Sequence, residues 1–154
     1  MAERYKSKSA VFLILTREVN GNIQILLQER CNTGYMDGKY DTACSGHLEK
    51  GESLAMALCR EAKEEIGLNI DEHDLKLVAL IHEYQDEYIN VFFTADKYEG
   101  TPKIMEPDKC DNLQWFNIDE LPENTIMRVR NVLTNMQKGI IYDDGNFSHQ
   151  KAKS

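Results

Sequence analysis

GHLEKGESLAMALCREAKEEIGL, running from Gly46 to Leu68, is the stretch that decides how this chain reads. Its second half carries a helical pattern: Leu54, Leu58, Ala62 and Ile66 recur every fourth residue and form one apolar stripe. Ser53 stands where an N-cap belongs, although the acid of a capping box is missing because position 56 is Met. Gly67 ends the pattern in the C′ role. At about 100° per residue, Glu64 and Glu65 lie roughly 60° and 40° to either side of Glu61. Three carboxylates on one arc repel each other unless a positive charge joins them. All are hard oxygen ligands, so the cation they suit is Mg²⁺ or Mn²⁺. The arc flanks the buried stripe and does not point fully into solvent.

Working outward, the chain opens with an apolar run from Ser9 to Thr16, which predicts a buried strand. Asn20-Gly21-Asn22 is a hairpin turn, followed by a second strand over Ile23 to Glu29. Arg30 to Lys39 is a polar loop, Tyr40 to Cys44 a short strand, and Ser45 to Glu52 a loop leading into the helix. Leu75 to Tyr84 and Tyr88 to Ala95 read as strands joined around Gln85-Asp86-Glu87. Tyr98 to Lys109 is a loop, Leu113 to Ile118 a strand, and Leu121-Pro122 opens a last helix to about Lys138. The tail beyond Gly145 is expected to be loosely ordered. Two hairpin-like connections disfavour a purely parallel sheet. The expected fold is an α/β/α sandwich with a mixed, curved sheet between two helices, one domain over residues 1–154.

Composition bounds the function. The chain has 154 residues, 42% of them apolar and 29% charged, which is globular and not disordered. A net charge of −8 argues against nucleic-acid or membrane partners, which select basic surfaces. Any polyphosphate substrate must then be met by metal ions and local Lys or Arg. The opening MAERYKSKSA lacks the apolar core of a signal peptide, so a cytoplasmic location is expected. Cys31, Cys44, Cys59 and Cys110 show no CxxC pairing and read as reduced thiols. Cys44 and His47 have CxxH spacing, but no second pair completes a zinc site.

The spacing Gly46, five residues, Glu52, seven residues, then Arg60-Glu61-Ala62-Lys63-Glu64-Glu65-Ile66-Gly67-Leu68 resembles the full motif of the Nudix hydrolases. Seven fixed positions at roughly 7% each coincide by chance in about one window in 10⁸. The resemblance implies hydrolysis of a nucleoside diphosphate linked to another group, by water attack at phosphorus with a divalent metal. It also implies that Glu61, Glu64 and Glu65 hold the metal, with Glu61 or Glu65 closest to the attacking water. Arg60 and Glu52 would pair to hold loop against helix. In much of the family the carbonyl before the first motif glycine is a further metal ligand, here Ser45. MutT-like members read PGG where this chain reads CSGH, which puts a serine where a glycine is common. GTPKIMEPDKCDNLQWF resembles another MutT-like stretch and places Glu106 as an additional acid, with Glu83, Asp86 and Glu87 as rivals.

Four residues are candidates for substrate binding. Arg30 stands where similar proteins place a phosphate-contacting base, Tyr40 and Tyr84 are candidate stacking partners for a nucleobase, and Asn124 falls where MutT-like enzymes read a base edge. Each has a plainer reading: a surface arginine, core or edge tyrosines, and the N-cap of the last helix. His47 and His82 sit beside no nucleophile elbow. The expected activity is a house-cleaning nucleoside triphosphate pyrophosphohydrolase, monomeric or homodimeric. Alternatives are a dinucleoside polyphosphate hydrolase, given Tyr84 16 residues past Leu68, and a non-catalytic nucleotide-binding Nudix domain. The proline of ADP-ribose-specific members and the upstream motif of the coenzyme A type are both absent.

Overall fold

The computed structural model describes residues 3–95 and 97–145. Two sheets share the centre. One runs β5-β1-β7-β6-β9, built from β1 (Lys8–Ile14), β5 (Cys44–His47), β6 (Leu75–Glu83), β7 (Tyr88–Ala95) and β9 (Tyr142–Asp143). In the other, β3 (Asn22–Arg30) is flanked by β2 (Thr16–Val19), β4 (Tyr40–Thr42) and β8 (Cys110–Asn117). The β1–β7 and β6–β9 pairs are parallel and the rest antiparallel, which makes the architecture mixed as expected.

Strand alternation sorts the core into two layers. Val11, Leu13, Val91, Phe93 and Ala95 meet Ala57, Leu58, Ala62 and Ile66 of α1 (Leu54–Ile66). Ala10, Phe12, Ile14 and Phe92 meet Val129, Val132 and Leu133 of α2 (Met127–Gln137) on the opposite face. The result is the α/β/α sandwich. Ser53 caps α1 by accepting from the Met56 amide at 3.1 Å, a contribution of about 1 kcal/mol. Gly67 closes it with φ +70°, a conformation other residues adopt only with strain.

Several boundaries differ from the expectation. The first apolar run is two strands, because the chain passes from one sheet to the other at Leu15 and continues as β2. Tyr40 to Cys44 breaks likewise at Ala43, where the chain returns to the first sheet. Ser45 therefore lies on β5 and not in a loop. The hairpin turn is as expected, with Asn20 and Gly21 both at positive φ. The last helix starts at Met127, not Leu121. Residues 122–126 instead lie against β4, where Tyr40 donates to the Asn124 carbonyl and Ile126 to that of Tyr40, both at 3.0 Å. The N-cap position belongs to Ile126 and not Asn124. The expectation of a loose tail falls outside the described residues. All four cysteines are free thiols.

Candidate active site

Arg60 organises the junction of β5 and α1. Its Nε and Nη2 donate to the two Glu52 oxygens at 2.7 and 2.9 Å. Nη2 also reaches the His47 carbonyl at 3.1 Å, and Nη1 reaches Glu61 at 2.8 Å and Glu64 at 3.3 Å. A guanidinium has five N–H donors, and five contacts engage them. Glu52 in turn accepts from the Glu49 amide at 2.9 Å. These bonds hold the Arg60 charge up, with Glu52 the main cause, and pull the Glu52 carboxyl below its usual range.

Gly46 is a glycine for a different reason from Gly67. Its φ is ordinary, but a Cβ there would overlap the Glu61 carboxyl group. Glu61 thus packs directly on the β5 backbone, while Glu65 accepts from the Ser45 amide at 3.1 Å. Ser45 itself has no positive φ, so serine fits this strand position without strain.

Burial raises the pKa of Glu61, against the pull of Arg60. Glu65 is pushed up to about 8 by burial and by the Glu61 charge, with Glu106 adding to the rise and the Ser45 amide opposing it. The Glu61 charge beside it is one reason the Glu65 carboxyl holds its proton. Glu106 arrives through the strand-like segment that follows Gly100. Lys103 and Met105 donate to the Ile66 and Glu65 carbonyls at 3.0 and 3.1 Å, which covers the end of α1. Of its rivals, Glu83 accepts from Asn90 at 3.0 Å, and Asp86 and Glu87 sit on the turn between β6 and β7.

Among the described residues, no three His, Cys, Asp or Glu side chains form a preassembled chelate. Arg60 draws Glu61 and Glu64 toward itself, and Glu64 is half exposed. The donor set is nonetheless all oxygen, Glu61 fills the space over Gly46 while Glu65 accepts from the Ser45 amide, and the raised pKa of both acids marks a deficit of positive charge. These residues fit Mg²⁺ or Mn²⁺.

The substrate-binding candidates separate. Arg30 donates to Asp41 at 3.2 Å, the Tyr35 carbonyl at 2.8 Å and Thr33 at 3.2 Å. The Tyr40 hydroxyl accepts from Asn112 at 2.7 Å, and its ring packs edge-on against Phe116. Asn124 donates its amide to the Gly38 carbonyl at 2.8 Å. Tyr84 is half exposed on the turn after β6, its ring near His82. Sequence reading passed over Asp41 and Arg128. Asp41 is fully buried and holds Arg128 at 3.1 Å as well as Arg30. Nothing in their spacing, 87 residues apart, marks them as partners.

The NUDIX domain model matches residues 6–136. The chain belongs to the NUDIX family. An 8-oxo-dGTP diphosphatase of Escherichia coli is 29% identical over 106 residues, 67% of this chain and 81% of that protein. An oxidized purine nucleoside triphosphate hydrolase of Danio rerio is 34% identical over 93 residues, 58% of this chain and 56% of that protein. A NAD-capped RNA hydrolase, NudC, of Stutzerimonas stutzeri is 31% identical over 88 residues, 57% of this chain, and the match spans 30% of that protein. The fold is similar to that of a MutT NUDIX hydrolase from Burkholderia pseudomallei, with TM-score 0.72, 22% identity and coverage of 84% and 98% of the two chains. No helix among the described residues is long and apolar enough to cross a membrane.

Proposed function

We propose that this NUDIX protein is a metal-dependent pyrophosphohydrolase acting on a small nucleoside diphosphate derivative, foremost a nucleoside triphosphate of the house-cleaning kind. The observation that carries the reading is the Glu61–Glu65 pair, half-buried against β5, with the Glu61 carboxyl filling the space over Gly46 and Glu65 accepting from the Ser45 amide. Such a pair is costly to keep unless a cation replaces the proton. Similarity to two hydrolases of oxidised or 8-oxo nucleoside triphosphates points the same way.

Glu61, Glu64 and Glu65 would hold Mg²⁺ or Mn²⁺, with the Ser45 carbonyl and Glu106 completing the oxygen set. When bound, the ion supplies positive charge that neutralises phosphate oxygens in the transition state. Glu65, or Glu61, takes the proton of the attacking water at a carboxylate oxygen. Arg60 and Glu52 keep β5 and α1 in register, so that the acids face one point. Arg30, Tyr40 and Tyr84 belong to the walls around the substrate. The substrates of this reading are free nucleotides, since a charge of −8 opposes a long polyanion, and its setting is the cytoplasm.

The test is turnover of a panel in Mg²⁺: nucleoside triphosphates, 8-oxo-dGTP, a dinucleoside tetraphosphate, ADP-ribose and NAD-capped RNA. Mg²⁺-dependent cleavage of triphosphates that Glu65→Gln abolishes is the expected result. Preference for the dinucleotide or the capped RNA would move the substrate class, and no cleavage of any member would leave a binding domain.

A further inference from the structure

The N-terminus of α2 is open. Ile126 offers no side-chain cap, the first turn holds no acid, and the amides of Met127 and Arg128 donate to no described residue. Beside this end lies an unpartnered polar atom. The Arg128 side chain is about nine-tenths buried, and its Nε–H has no hydrogen-bond partner. A buried donor left unmet is costly, and native structures rarely keep one without a use. The rest of the guanidinium is fixed: Nη2 donates to both Asp41 oxygens at 3.2 and 3.1 Å, and Nη1 to the Tyr35 hydroxyl at 3.1 Å. Phe12 lies 4.8 Å beneath it and the Tyr35 ring 6.0 Å away.

The place suits one end of a nucleotide. Phe12 pairs in register with Ser45, whose amide binds Glu65, and β5 is the edge strand of its sheet. Arg128 thus lies on the order of 10 Å from Ser45, on the face of the sheet opposite α1. A nucleotide crossing this edge puts its phosphates beside the acids of α1 and its base beside the Arg128 guanidinium, which itself covers Phe12. Resting on the nucleotide reading above, the geometry points to Arg128, with the open amides of α2, as the group that reads the base edge, and to a keto oxygen as the atom read.

Charge and donor chemistry select that atom. Arg30 and Arg128 face Asp41, and Glu83 is close enough to support the Arg128 charge, so the cluster is neutral and gives a phosphate dianion no net attraction. The unmet groups, the Nε–H and the two backbone amides, are donors, which favours an acceptor over an exocyclic amine beside them. A keto oxygen has two lone pairs for the Nε–H and a backbone amide, whereas a ring nitrogen has one. Asn124 lies nearby and spends one amide hydrogen on the Gly38 carbonyl. Tyr35, half exposed and with its hydroxyl bonded only to Arg128 among the described residues, is the side chain that yields to the incoming ring.

Inosine and adenosine 5′-triphosphates carry a keto and an amino group at the same position and test this directly. Wild-type protein in Mg²⁺ is expected to favour the inosine nucleotide about tenfold or more in kcat/KM. Arg128→Lys keeps a cation for Asp41 but removes the Nε–H. It is expected to retain the fold and kcat while raising KM for the inosine nucleotide, so that the ratio falls toward one. Arg128→Gln is expected to do the same, and if it unfolds by stranding Asp41, Arg128→Lys decides alone. An equal or reversed preference in wild type, or a folded Arg128→Lys with the ratio intact, overturns the inference while the nucleotide reading stands. No turnover across the whole panel overturns that reading and this inference with it.

Discussion

The carboxyl group of Glu61 occupies the space that a side chain at position 46 would need. The glycine there keeps room for an acid and serves no turn. Gly46→Ala is therefore expected to displace Glu61 from β5 and cut kcat by about 10²-fold or more, since a small misplacement at a reacting centre is costly. Thermal unfolding should shift by only a few degrees. Steady-state rates near wild type, with the substitution verified, would sever Glu61 from catalysis.

Glu65→Gln removes a charge at nearly constant volume. Turnover at saturating substrate and Mg²⁺ is expected to drop by about 10²-fold or more. The fold should survive, and without metal the melting temperature at pH 9 should exceed that of wild type because the Glu61–Glu65 repulsion is gone.

The same carboxyl gives the metal-free protein a pH signature. Its pKa is about 8 in the folded chain against an ordinary glutamate value near 4.5. Across that interval the folded state holds a proton that the unfolded state has released, so stability is full below it, falls as pH rises through it and levels off above. Melting curves in a chelator at pH 6, 7, 8 and 9 should descend for wild type. Glu65→Gln should flatten the series, and an equally steep slope in that variant would assign the effect to other groups.

Arg60→Lys keeps the charge but loses the two-pronged contact with Glu52 and the reach to His47. About tenfold lower kcat is expected, with faster amide exchange in residues 47–52 by mass spectrometry. Unchanged exchange there would mean that the loop is held by its own backbone bonds.

Local pattern made much of this legible. The four-residue spacing from Leu54 to Ile66, its Ser53 cap and its Gly67 stop fixed α1 because each signal lies within the helix itself. The Asn20-Gly21 turn was equally plain. What a linear reading missed involves contacts between distant segments. Leu15 and Ala43 are ordinary apolar residues, and nothing local says that the chain changes sheets there. Residues 121–126 look like a helix start, yet a turn from Pro122 to Thr125 and pairing with Tyr40 take their place there. Asp41 and Arg128 become a pair only when β4 and α2 meet.

All five N–H groups of Arg60 end on acceptors of its own chain. The acids among them therefore carry a counter-ion from their own chain, a guanidinium that offsets part of their charge. Salt should then change the protein's melting temperature little near neutral pH, because the charges that most need screening already screen one another at contact distance. A cation that claims Glu61 and Glu64 releases the two Nη1 donors, and the arginine becomes free to face a phosphate.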